Sequence, residues 1–221
     1  MQIKKMFLLV LGLLLVSLPV MAEDGLVATV GEKEITETEL NQVANSQQIV
    51  SQVAQANQDF AQFLSSSEMG QELLNEYKEE KLDDLIDEKV LKIETEKRDI
   101  TLTQEEEENF DNYIKQIKEE NDLNDEELLA ALKQQGFGTL DEYKEKFLGN
   151  LRINKLMEEE INSKISVSDE EAKEEYNKKK YDDDFEEIKE DIKNSLKMQK
   201  QQMALSEFIN NAKETIKIEK Y

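Results

Sequence analysis

Carboxylates are the only side chains in this sequence numerous enough, and spaced closely enough, for acid–base or metal chemistry to be considered. Asp83 and Asp87 stand four residues apart, as do Glu170 and Glu174, a spacing that puts each pair on one face of a helix. Glu105 to Glu108 form a run, and Asp182-Asp183-Asp184 form another. General acid–base catalysis needs a pocket that shifts a carboxyl pKa, and runs of this kind read instead as solvated faces. The Asp run offers oxygen ligands for Ca²⁺, yet the central Gly and closing Glu of a calcium loop are missing. The chain has no His, no Cys and no Trp, which leaves transition metals without their usual donors. Ser65-Ser66-Ser67 has no base to activate it. Gly136-Phe137-Gly138 lacks the lysine and spacing of a phosphate loop and reads as a turn between helices. These residues predict no catalytic group, no metal and no cofactor, and a protein that is not an enzyme.

The elements that hold them are mostly helical. Leu26 to Val30 is a short extended stretch, Gly31-Glu32 offers a turn, and Glu34-Ile35 resumes the strand. Ile216-Lys217-Ile218-Glu219 supplies a further strand at the far end, and the two ends are expected to pair in one small sheet. Five helix starts carry a capping pair three residues apart: Thr36 with Glu39, Thr103 with Glu106, Asn124 with Glu127, Thr139 with Glu142 and Ser168 with Glu171. Ile35 and Leu40, and Leu123 and Leu128, occupy the positions of hydrophobic staples. Leu82, Leu85, Ile86, Val90 and Ile93 form one apolar stripe, and Phe110, Tyr113, Ile114 and Ile117 form another. Residues 41–67 are rich in Gln, Asn, Ser and Ala and sparse in apolar residues. The absence of Pro and Gly there predicts a long, partly exposed helix or one with a mobile tip near Ser65-Ser66-Ser67, with Gly70 as its breaker. Beyond Tyr181-Asp182-Asp183-Asp184, one long helix runs to about residues 212–215.

The N-terminus reads as an export signal. Lys4 and Lys5 precede an apolar run from Met6 to Val20, and Val20-Met21-Ala22 supplies small residues before Glu23. Cleavage there removes two lysines and no acid, moving the formal charge from −23 to −25. An uncleaved membrane anchor is the alternative, since the run is about long enough for a thin or tilted crossing. Such acidity opposes binding to nucleic acid and to anionic membranes, both of which are polyanions. It is equally what a solvated surface in a salty habitat would carry. With no Cys, export requires no disulfide.

Taken in order, these segments resemble the exported foldases of the SurA, PrsA and PpiD type. Leu26 to Thr36, followed by Glu39-Leu40, is similar to the strand pair that opens those proteins, and Lys81 to Leu91 to their leucine/isoleucine helix containing leucine-isoleucine-aspartate-glutamate-lysine. Ile100 to Glu106, Asp125 to Tyr143 and Ile165 to Tyr176 keep the family order. Ile188, Leu196 and Ile216-Lys217-Ile218 resemble the returning helix and strand. The resemblance implies a mostly α, multi-helix chaperone domain over 23–221. Its helical core lies at about 72–180 and is closed by 184–221, with a small sheet made from both ends. Many relatives insert a parvulin-type prolyl isomerase after the tyrosine-containing helix. Here Tyr176 is followed almost at once by Phe185, and no His is present, so a chaperone module alone is expected.

That resemblance implies an exported, ATP-independent chaperone in the periplasm or at the cell-envelope exterior, binding unfolded or newly translocated polypeptides near the translocation membrane. The alternative is a non-enzymatic assembly factor with one dedicated envelope partner, and the oligomeric state stays open. Most stripe residues build the core. Phe60, Phe63, Met69, Phe137 and Met157 lie in sparse stretches or beside breaks and are the candidate peptide-binding residues, because Met and aromatic side chains adapt to varied apolar partners.

Overall fold

Alternation at the N-terminus decides where the sheet turns its apolar face. In a computed structural model, which describes residues 25–179 and 181–221, β1 (Leu26–Val30) and β2 (Lys33–Thr36) form an antiparallel hairpin about Gly31-Glu32. Gly31 takes φ 59°, a left-handed conformation that a turn this tight asks for and that glycine adopts without strain. A bulge between Leu26 and Ala28 shifts the register, so Ala28 faces Ile35 and Val30 faces Lys33. Ala28, Val30 and Ile35 are fully buried. β3 (Ile218–Lys220) pairs with the other side of β1, giving the strand order β2-β1-β3. The first and last elements therefore close one sheet, as their apolar patterns predict.

All five capping pairs start helices, but they divide by what else the acid can reach. Thr103 with Glu106, Asn124 with Glu127, and Ser168 with Glu171 close in both directions. They open α5 (Gln104–Asn121), α6 (Asp125–Gln134) and α8 (Asp169–Lys179). At α1 (Glu37–Val43) Thr36 accepts from the Glu39 N–H, while the Glu39 carboxylate is drawn 2.8 Å from Lys89. At α7 (Leu140–Glu160) Thr139 accepts from the Glu142 N–H, and Glu142 instead accepts from the Gly138 N–H at 2.7 Å. Ile35 and Leu40 of the first staple are both buried in the main core, while of the second Leu128 is buried and Leu123 half-buried.

The long helix expected over 41–67 is broken twice. Asn45 and Asn57 each leave helical geometry and accept a backbone N–H, from Gln48 and Phe60 respectively, both at 3.0 Å. The chain thus divides into α1, α2 (Ser46–Ala56) and α3 (Gln58–Ser66). The physical reason is that a short amide side chain competes with the backbone for its own hydrogen bonds and favours caps over helix interiors. Ser67 caps α4 (Glu68–Lys97), and Gly70 lies in the first turn of that helix. It is buried against the last turn of α3: a Cβ there would stand 2.4 Å from the Phe63 carbonyl oxygen and 2.5 Å from the Leu64 Cα. Glycine is required for close approach of two backbones.

α4 is the spine. Its stripe places Leu85, Ile86 and Val90 in a core with the sheet, with Ile153 and Leu156 of α7, and with Ile209 of α9 (Phe185–Lys213). A smaller cluster gathers Phe110 and Ile114 of α5 with Leu128 and Leu132 of α6, capped by Tyr143 and Phe147 of α7. α7 therefore runs through both cores and fixes one against the other. A 3₁₀ turn (Asn162–Lys164) leads from α7 toward α8, and α8 folds back on α9.

Candidate functional site

Of the carboxylates at helical spacing, Asp83 and Asp87 are occupied in holding the fold, whereas Glu170 and Glu174 enter no ion pair among the described residues. Asp87 pairs with Lys213 and Asp83 with Lys220, tying α4 to α9 and β3. Glu88 accepts from both Lys92 and Lys146; burial pushes its carboxyl up, but the two lysines outweigh that and hold it below the usual range. Asp169 is held low by hydrogen bonds from Lys189 and Lys193, and Glu171 by Lys200. The Ser65 and Ser66 hydroxyls donate to the Gln62 carbonyl and Ser67 serves as the α4 cap, so all three serve the backbone. Tyr143, hydrogen-bonded to Tyr113 at 3.4 Å, has its phenol pushed up to about 12 by burial and by that neighbour, and is a neutral aromatic at any ordinary pH. Among the described residues no three His, Cys, Asp or Glu converge on a point where a metal ion could sit.

What the fold leaves for recognition is apolar surface. Phe60 and Phe63 lie one turn apart on α3, their rings stacked at 6.0 Å and 10°, and stand 46% and 39% exposed. Just across the Ser67 cap, Met69 is 69% exposed. Leu73, one turn further along α4 and half exposed, joins this set and escaped the sequence reading. Its spacing of four from Met69 was the available signal. Beside them a groove of about 420 Å³ runs between α2 and the start of α4, lined by Val50, Ala54 and Leu74 with Ser46, Ser51 and Ser65. No residue of α2 is buried, so the helix contributes surface and no core.

The five candidate residues do not form one site. Phe60 and Phe63 stand together on α3, and Met69 is exposed on the first turn of α4. Phe137 folds back from the left-handed turn at Gly136 onto the Tyr143 ring, at 5.0 Å, and packs on the smaller cluster. Met157 packs against the main core from α7. A larger cavity, of about 800 Å³, lies elsewhere, between the C-terminal half of α4 and α7. Its walls carry Lys92, Lys146 and Arg152 together with Glu96, Asp99, Glu142 and Glu145.

The architecture is a helical body closed by a sheet of strands from both ends, with a weakly buried arm that shows stacked aromatics. Residues 3–157 match the family described as SurA-like N-terminal domain, and the chain belongs to that family. It is also similar to the protein named "Foldase protein PrsA" in two strains of Clostridium kluyveri, 31% identical over 161 residues. The match covers 70% of this chain and 46% of each relative, so this chain spans about half the length of the relatives it matches. These likenesses associate the chain with chaperones of the SurA and PrsA kind. The expected signal at residues 1–22 lies outside the described residues; among those described, no helix is long and apolar enough to cross a membrane.

Proposed function

We propose that the protein is an exported, ATP-independent chaperone that binds unfolded or newly translocated polypeptides and releases them without covalent chemistry. One observation carries this reading: the stacked Phe60–Phe63 pair is exposed on an arm that contributes little to the core, and Met69 and Leu73 are exposed on the first turns of α4 that follow. A solvent-exposed aromatic pair has no folding value comparable with a buried one, whereas it offers a client large contact area. The printed name of the Clostridium relatives, a foldase, supports the same class of action. Export rests on the basic start and apolar run of residues 1–22, and release on weak, reversible contacts. Prolyl isomerase activity is not part of the proposal, because five residues separate the end of α8 at Lys179 from the start of α9 at Phe185, where a folded domain of about 50 residues or more would have to stand.

The test is light scattering of a chemically unfolded client diluted into buffer with and without the protein. Suppression at near-stoichiometric ratios without ATP is expected, as is its loss in the Phe60→Ser/Phe63→Ser double variant with helicity unchanged by circular dichroism. No suppression across several unrelated clients sinks the reading in favour of a factor dedicated to one envelope partner.

A further inference from the structure

The first turns of α4 have a charge pattern found nowhere else in the described chain. Between Lys33 and Lys78 the sequence contains no Lys or Arg. Over the same interval it carries Glu68, Glu72 and Glu76, and Glu79 follows. These four recur at spacings of four, four and three, so they form one ridge along the helix, lining a shallow groove of about 450 Å³ with Gln71 and Asn75. Among the described residues none of the four enters an ion pair. Most lysines elsewhere are paired. Glu68 is favourable to the helix, because a carboxylate in the first turn meets the positive end of the helix dipole. The other three lie beyond that turn, where like charges four residues apart oppose helix formation. Folding does not explain them. Each of Met69 and Leu73 follows a ridge residue directly, which places these two exposed apolar side chains along the flank of the ridge.

We propose that this face of α4 binds basic amphipathic polypeptide segments, in which Lys or Arg recurs every three or four residues beside apolar side chains. The inference rests on the chaperone reading and names the clients it prefers. Apolar side chains of such a segment cover Met69 and Leu73, while its cations neutralise Glu72, Glu76 and Glu79, removing a repulsion present in the free protein. A second copy of this chain offering the same face would bring four more carboxylates to the ridge, so charge opposes self-pairing there. Anionic lipid and nucleic acid are excluded by the same sign.

The probes are three labelled amphipathic peptides of about 20 residues with identical apolar positions and with Lys, Gln or Glu at the polar ones. Fluorescence anisotropy with the purified protein is read at low and at high salt. The Lys peptide is expected to bind about tenfold tighter than the Gln peptide at low salt, with the gap closing as salt screens it. In the Glu68→Gln/Glu72→Gln/Glu76→Gln/Glu79→Gln variant the gap should shrink to within about twofold while the Gln peptide binds as before. Met69→Ser/Leu73→Ser should weaken both peptides; all these positions are on the surface, and circular dichroism confirms the fold. Equal binding of Lys and Gln peptides, or a gap that survives neutralisation of the ridge, overturns the proposal while aggregation suppression of neutral clients leaves the chaperone reading standing. Concentration-dependent dimerisation abolished by Met69→Ser/Leu73→Ser, without peptide binding, overturns it in favour of a second copy. If no peptide binds and no client is protected, both readings fall together.

Discussion

The body around α4 and the arm formed by α2 and α3 are both helical, yet they are built on different terms. In the body, Ile86, Val90 and Leu156 are essentially without solvent contact, and a carboxylate, Glu94, is buried with them at 2% exposure. Arg98 pairs with it and lies over the Phe208 ring at 5.0 Å. In the arm α2 buries nothing, α3 buries only Ala61 and Leu64, and the turns are held by Asn45, Asn57 and Ser67 caps. The body is stabilised by removing apolar surface from water, the arm by satisfying backbone ends. Contact-poor helices with exposed backbone hydrogen bonds are the ones that open first, so the arm is expected to move on a rigid base.

Substitutions can break this contrast at several strengths. Ile86→Ala in the body should cost about 3 kcal/mol, since a cavity remains where α4 meets the sheet. A thermal scan should show that as a fall of roughly 10 °C in Tm. Gly70→Ala sharpens the contrast at the joint. On helix propensity alone it would stabilise α4 by about 1 kcal/mol. The clash with the backbone of Phe63 and Leu64 is larger, so a net loss of about 1–2 kcal/mol is expected. Hydrogen exchange should show that loss as faster opening of α3, with α4 beyond Leu85 unchanged. Asn57→Ala removes one cap and should cost about 1 kcal/mol, confined to α3 by the same measurement.

The smallest effect concerns the α8–α9 hairpin, which shares features of both regions: Ala172 and Ile192 are buried, but Asp169 and Glu171 also bind Lys189, Lys193 and Lys200 across the seam. Both carboxyls are held below their ordinary values by those lysines. Their contribution is therefore complete above the unfolded-state pKa and is lost as pH falls through the lower folded values. Amide protection in α8, taken relative to the intrinsic exchange rate at each pH, should fall selectively below about pH 4 and stay level from there to neutrality. A loss of protection between pH 5 and 7 would contradict the assignment.

The strands, the two apolar stripes and all five capped starts were legible because each is written in residues close together in sequence. The breaks at Asn45 and Asn57 were not, because neither Asn has an acid three residues on to complete the recognisable pair, and Gln-rich sequence otherwise favours helix. Gly70 illustrates the opposite difficulty. Its isolated sequence context suggested a helix stop, whereas its role depends on how closely the first turn of α4 folds onto the last turn of α3. Burial of Glu94 depends on the sheet, α7 and α9 meeting around α4, and no local pattern announces that. At the candidate surface the exposure of Phe60 and Phe63 followed from the sparse stretch they stand in, and Leu73 could have been reached from Met69 by its spacing of four. Phe137 and Met157 stand near breaks like the others, but nearness to a break does not say which way the chain turns; Gly136 turns Phe137 inward.

The ladder between β1 and β3 ties residue 31 to residue 217, with the Gly31 N–H donating to the Lys217 carbonyl at 2.8 Å. Chain growth runs in one direction, so the first strand made must wait for the last one before its outer edge is paired. Until then Ala28 and Val30 have a neighbour on one side only, and the edge stays open to any extended chain nearby. Loop closure over so long a span adds little to the equilibrium cost, because that cost rises only with the logarithm of length. The delay is one of timing. Until residues 218–220 arrive the protein is itself an unfinished polypeptide with an exposed edge, the same condition it is proposed to relieve in others.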